Sequence, residues 1–244
     1  RLTDVTGVQT CALPILGVIR KKLDLLTGAV MDDPVIHART KGVGILTRQD
    51  IVDYAAVGPT ARASGVDIDV RRDDPYAAYP LVNWKVITAE AGDVFAKTEV
   101  RLLEMYESAS KIEQCLDALE KLEEGNIALK IKEIPAGIGT GRAEAPRGEV
   151  FHFVVSDGSN SPARHKIRAP SYTNIATFKK SCVGQTIADA TISLAAVDPC
   201  YCCTERMAAA YDRSSGEKIL NANELIEISM KRTEELRKSE AGHE

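Results

Sequence analysis

The chain predicts an α+β fold, mainly helical, on three observations. Apolar residues recur at three- and four-residue steps between about 92 and 123, the pattern of one face of a long helix. Period-two alternation follows, predicting strands over 127–132 and 149–155 and a returning strand over 164–168. The closing stretch, 207–244, is polar and rich in Glu, Lys and Arg, the character of a solvated helix, with Asn223 as its expected cap.

Taken in order, the chain opens without an initiator Met, and Val5 to Ile15 reads as a translated sequencing-library adapter. Residues 1–15 are therefore set apart from the fold. Two short helices are expected over 17–28 and 48–56, around a turn-rich Asp32-Asp33-Pro34 and a Gly42-Val43-Gly44 break. Gly58 to Val66 is small and glycine-bearing, which suits a tight loop with close backbone approach. The charged run from Asp67 to Tyr76 leaves two readings open, a solvated surface loop or a buried ion-pair network.

Phe95, Leu102, Met105, Ala109, Ile112, Leu116 and Leu119 form the stripe of the long helix, which Gly125 ends; it is read as core packing. Asp157-Gly158-Ser159-Asn160 is a turn signal between the second and third candidate strands. His152 and His165, with no second histidine at ligand spacing along the chain, are read as structural.

Composition narrows the function classes. Apolar content of 44% and charged content of 27% over 244 residues are ordinary for a globular protein able to bury a core. A net charge of −4 without a basic block argues against nucleic acid as a partner. No apolar run approaches the roughly 18 residues of a membrane span, so membrane association is expected through other subunits. The six cysteines do not form a disulfide framework, because three crowd together; a reducing, cytosolic setting fits better.

The chemistry concentrates in Asp198-Pro199-Cys200-Tyr201-Cys202-Cys203-Thr204-Glu205-Arg206. Asp198 is read as an N-cap and Pro199 as a first helical residue, which puts Cys200 and Cys203 on one helical face. A helix N-terminus favours the thiolate, the form that binds metal or attacks an electrophile. Cys202, about one hundred degrees round from Cys203, is a bystander. A lone C-x-x-C fits a redox pair, half a zinc site or part of an iron–sulfur site. Zinc would need two more ligands, which Cys182 and the scattered histidines do not offer. The βαβ start that favours a redox pair is absent.

Two further segments, Gly141 to Glu149 (G-R-A-E-A-P-R-G-E) and Lys166 to Ser171 (K-I-R-A-P-S), precede that motif. In this order and spacing the three resemble the C-terminal half of the large subunit of nickel–iron hydrogenases, in particular the energy-converting, membrane-associated class. That class is related to the 49 kDa-type subunit of respiratory complex I. Gly58 to Tyr79 and the Leu103-Glu104-Met105-Tyr106-Glu107 run look like the same lineage, so the resemblance covers about residues 30 to 206. The complex I relative has E-A-P-R-G and I-R-A-P segments but not the cysteines, so the D-P-C-x-x-C pair favours the hydrogenase.

The resemblance implies a long-helix core with a small peripheral antiparallel sheet, spanning 16–206. It makes Cys200 a terminal nickel ligand and Cys203 a bridge to an iron carrying diatomic ligands. Soft thiolates suit nickel in a redox site. Arg147 of the E-A-P-R-G segment would stand over the open metal position, holding ligands of the iron, polarising H2 or accepting its proton. Asp198 would orient Arg147 through a charge-assisted hydrogen bond. Arg206 marks the point after which a maturation endopeptidase would remove 207–244. The other two cysteine ligands of the family lie upstream and have no counterpart here, so this stretch alone is expected to be inactive.

The implied activity is reversible reduction of protons to H2, linked to ferredoxin and to ion translocation. The implied partners are an iron–sulfur small subunit whose clusters carry electrons, ferredoxin-linked electron-transfer subunits and membrane subunits. The expected location is the cytoplasmic face of the cell membrane, as a peripheral subunit. A complex-I-like quinone or ion-coupling subunit without nickel is the alternative. A C-x-x-C binding or redox module without a catalytic metal is a third reading.

Overall fold

Asp33, Thr47, Asp69 and Asp93 each cap the helix that follows them, and these four side chains set out the first half of the chain. The computed structural model describes residues 5–122, 125, 128, 131, 133–204, 210–212 and 214–240. They fall into two compact units, Arg1–Pro199 and Cys200–Glu244.

The first unit opens with α1 (Val5–Met31), which runs through the segment read as adapter and past Pro14. The short helices α2 (Pro34–Thr40), α3 (Arg48–Asp53), α4 (Pro59–Arg62) and α5 (Val70–Asp73) follow, then the long α6 (Val94–Leu119). The helix expected over 17–28 is thus longer, and that over 48–56 ends at Asp53. Beyond Asp53 the chain turns through Ala55, whose φ of +50° no helix accommodates.

Asp93 starts α6 by accepting from Ala96 N at 2.8 Å, and its other oxygen accepts from Gly42 N at 2.8 Å. The expected stripe divides into two rows, one buried and one partly exposed. Phe95, Leu102, Ala109 and Leu116 are buried, while Met105, Ile112 and Leu119 stay 38–48% exposed. Ala109 and Leu116 pack on Leu16 of α1, and Ala96 and Val100 pack on Ala63. Lys97 is 1% exposed, its Nζ donating to Gly44 O at 2.9 Å and Gly92 O at 2.8 Å. Burial pulls its pKa down to about 8 despite the nearby Asp93.

A three-stranded antiparallel sheet follows α6 along the chain: β1 (Gly137–Ala145), β2 (Gly148–Ser156) and β3 (Arg164–Arg168), in the order β1-β2-β3. The hairpin of β2 and β3 matches the sequence reading. Its other partner, β1, does not, because Gly137, Gly139 and Gly141 carry no strand propensity and the pairing with β2 supplies the order. The strand expected over 127–132 lies largely outside the described residues. Register puts Gly137, Gly139, Gly141, Val154, His152, His165 and Ile167 on one face, and Phe151, Phe153, Lys166 and Arg168 on the other.

Helices α7 (Pro170–Ala176), α8 (Phe178–Cys182) and α9 (Ile187–Val197) complete this unit. A capping box between Thr186 and Asp189 starts α9, a signal present in the sequence. Asp198 ends α9 in the left-handed region, at φ 56° and ψ 62°. It is therefore a C-cap, not the expected N-cap, and Pro199 is not a first helical residue. An Asp tolerates this conformation through its short polar side chain.

The second unit contains a single helical turn, α10 (Tyr201–Thr204), a two-stranded ribbon of β4 (Ala210–Tyr211) and β5 (Lys218–Leu220), and α11 (Ala222–Glu240). The expected tail helix is present, but its cap is Asn221. Asn221 Oδ1 accepts from Asn223 N at 2.9 Å and Glu224 N at 3.1 Å, and Glu224 Oε2 accepts from Asn221 N at 2.6 Å. Asn223 lies inside the helix. Among the described residues no helix is long and apolar enough to cross a membrane.

Candidate metal centre

Arg147 stands in the two-residue turn Pro146-Arg147 that joins β1 to β2, and a glycine–glycine contact and an asparagine clasp fix that turn. Gly148 and Gly58 meet back to back, both at positive φ (+126° and +68°). A Cβ on Gly58 would lie 2.5 Å from both Arg147 O and Gly148 Cα, so neither glycine has room for a side chain. Asn174 of α7 then clasps both sides of this contact. Its Nδ2 donates to Arg147 O at 2.9 Å and Val57 O at 3.2 Å, and its Oδ1 accepts from Val57 N at 2.9 Å.

Asn174 is 1% exposed and is not legible as a site residue in the sequence; its place inside the helix that follows I-R-A-P is the available hint. Asn174→Ala strands buried backbone groups and is expected to cost about 1–3 kcal/mol in urea unfolding. A loss well under that range would show that the turn holds without the clasp.

Arg147 reaches Asp198 with two donors. Its Nε donates to Asp198 O at 2.6 Å and its Nη2 to Asp198 Oδ1 at 2.9 Å. The left-handed turn at Asp198 presents backbone carbonyl and carboxylate to the same guanidinium. Both side chains remain partly exposed, 31% and 42%.

Arg101 of α6 flanks this pair. Its Nη1 donates to Ala196 O at 2.7 Å, while Nε and Nη2 are buried without a hydrogen-bond partner among the described residues. Burial lowers its pKa, and the Asp198 charge opposes that shift. Arg101, Arg62, Glu104, Met105, Pro146 and Asp198 border a cleft of about 500 Å³. Sequence reasoning misses Arg101 because nothing in the helical stripe marks it.

The charged run over 67–76 resolves into both of its readings. Arg72 pairs with Asp67 at the surface, at 2.6 Å. Asp69 and Arg71 turn inward to a network around Arg62, which is 1% exposed. Arg62 Nε donates to Glu104 at 2.7 Å, and its Nη1 to Glu144 at 2.9 Å and to Ile68 O at 3.1 Å. Asp69 lies 3.4 Å from Nη1 and is held by Arg71 at 2.5 and 2.8 Å. Burial raises the Glu144 pKa, only partly offset by Arg62. Burial would lower Arg62, but Glu104 and Glu144 raise it on balance.

Cys200 and Cys203 belong to the second unit. The α10 turn brings their sulfurs together, Cys203 Sγ to Cys200 Sγ at 2.8 Å, and both are half-buried, whereas Cys202 is exposed. Two convergent soft donors fit half of a four-thiolate nickel–iron set. Among the described residues no group of three or more His, Cys, Asp or Glu forms a complete metal site. Arg206, the candidate processing position, lies outside the described residues.

The fold is similar to a chain of the membrane-bound sulfane sulfur reductase, an archaeal respiratory membrane complex. The TM-score is 0.73 at 27% identity, over 78% of this chain and 52% of that one. The architecture thus defines the class, subunits related to membrane-bound respiratory oxidoreductases. The chain belongs to the family of the respiratory-chain NADH dehydrogenase 49 Kd subunit, whose family model matches residues 6–133 and 123–206. It is 36% identical to an NADH-quinone oxidoreductase subunit of Herpetosiphon aurantiacus, over 72% of this chain and 48% of that protein. It is 32% identical to the alpha subunit of the membrane-bound hydrogenase of Pyrococcus furiosus, over 92% of this chain and 55% of that protein. The chain spans about half the length of these relatives.

Proposed function

We propose that the chain is the C-terminal part of the catalytic large subunit of an energy-converting nickel–iron hydrogenase, converting protons and electrons reversibly to H2. The observation that carries this reading is the Cys200–Cys203 pair, whose sulfurs stand 2.8 Å apart in a D-P-C-x-x-C motif. The similarity to the Pyrococcus furiosus hydrogenase subunit supports it.

Cys200 and Cys203 would hold nickel and iron together with two thiolates from elsewhere in the intact subunit, and that centre would supply the redox chemistry of H2 when bound. Arg147 would aim a fixed, positively charged donor at the reacting atoms, and Asp198 would hold its plane through the two bonds described. Arg101 adds positive charge beside Asp198. Met207 to Glu244 would be removed after Arg206 by a maturation endopeptidase. An iron–sulfur small subunit would carry electrons to and from ferredoxin-linked subunits, with membrane subunits holding the assembly at the cytoplasmic face.

Metal analysis of the intact subunit, produced with its accessory subunits and maturation factors, tests the reading. Nickel near one per chain is expected in the parent, and its loss in both Cys200→Ser and Cys203→Ser. A parent without nickel would favour the second reading, a complex-I-like quinone or ion-coupling subunit. That reading draws on the similarity to the Herpetosiphon aurantiacus NADH-quinone oxidoreductase protein.

A further inference from the structure

The sheet carries a pair of imidazoles that the candidate centre does not use. His152 of β2 stands opposite Ile167, and His165 of β3 stands opposite Val154, so the two histidines lie diagonally on one face. They are thirteen residues apart along the chain, and the hairpin brings them together. His152 Nδ1 lies 2.9 Å from His165 Nε2, with ring centroids 5.1 Å apart and planes inclined by 33°. On β1, the residues opposite His152 and Val154 are Gly141 and Gly139. A Cβ on either glycine would meet nothing within 4 Å, so the flank of the pair is open.

The nitrogen separation carries chemical information. First-row divalent ions hold imidazole nitrogen at about 2.0–2.1 Å. Two such ligands at a right angle place their nitrogens about 2.9 Å apart, and at the tetrahedral angle about 3.3 Å. The observed separation equals the right-angle value, which is also the length of the hydrogen bond that joins the rings without an ion. With the ring protons on His152 Nε2 and His165 Nδ1, both facing nitrogens present lone pairs. For both lone pairs to meet at one ion, each ring would have to turn about its Cβ–Cγ bond while keeping close to that separation. The strands already fix the two Cα positions.

We infer that His152 and His165 form a surface site for a divalent transition ion of right-angle coordination, Ni2+ or Cu2+, built without the Cys200 and Cys203 thiols. Imidazole nitrogen selects such ions over Mg2+ and Ca2+. Water fills the remaining positions above Gly139 and Gly141, and the bound ion ties β2 to β3.

The test is a Ni2+ titration of the full chain carrying Cys200→Ser and Cys203→Ser, which removes the competing thiol pair. Calorimetry is expected to show one site, weakened at least tenfold by either His152→Gln or His165→Gln. In the same chain with both histidines intact, paramagnetic Ni2+ is expected to broaden amide signals of β2 and β3 around residues 152 and 165 first. This second readout needs no histidine substitution and so does not depend on the variants folding. Absence of binding, broadening centred elsewhere, or histidine variants that bind like the parent would overturn the inference. Any of these would leave the pair as a structural cross-strand hydrogen bond.

Discussion

Arg62→Ala is expected to destabilise the chain by about 3–5 kcal/mol, the range for removing one partner of a buried ion pair. Arg62 touches Glu104 and Glu144 together, and it also meets Asp69 and Ile68 O. Without it, Asp69 keeps Arg71, but Glu144 loses its strongest opposing charge in a site where burial already raises its pKa. Glu144 would then take up a proton more readily. The sign follows: the deficit of the variant against the parent shrinks as pH falls and Glu144 protonates, and grows as pH rises. Urea unfolding at several pH values measures both effects. A loss below about 1 kcal/mol, or one that does not change with pH, would show the network to be dispensable.

On the proposed hydrogenase reading, Arg147→Lys is expected to lower H2 turnover of the assembled enzyme about 10²–10³-fold while leaving its nickel content unchanged. The guanidinium makes its bonds to Asp198 O and Asp198 Oδ1 from Nε and Nη2, which leaves Nη1 outside those two bonds. A lysine carries one flexible ammonium and cannot hold both bonds in that plane. Activity assayed beside metal analysis separates the outcomes. Parent-like turnover would remove Arg147 from the site, and a variant that also lost nickel would make the residue structural.

What is legible in the sequence, and what is not, divides along physical lines. The long helix and the β2–β3 hairpin are legible because periodicity and a turn signal are local properties. β1 is not, because its glycines take their extended form from the partner strand. The Asp198 cap reads backwards from sequence: Asp before Pro suits a helix start, and only tertiary structure shows a helix ending there. The proximity of Arg147 and Asp198, 51 residues apart, has no sequence signal beyond the resemblance itself. The charged run near Arg62 contains a buried stretch between exposed ones, which composition alone does not sort.

The buried Lys97 makes the interior chemically readable. With a pKa of about 8, its amine is an uncharged nucleophile for much of the time in mildly alkaline solution, whereas ordinary lysines stay protonated. Its two carbonyl partners and 1% exposure keep acylating reagents away while α6 is seated. Each moment of opening between α6 and the Gly44 and Gly92 loops solvates the amine and returns it towards the basicity of an ordinary lysine, so tagging follows the opened state. The rate at which Lys97 is tagged therefore clocks the breathing of the helical interior, from a reporter that the fold itself provides.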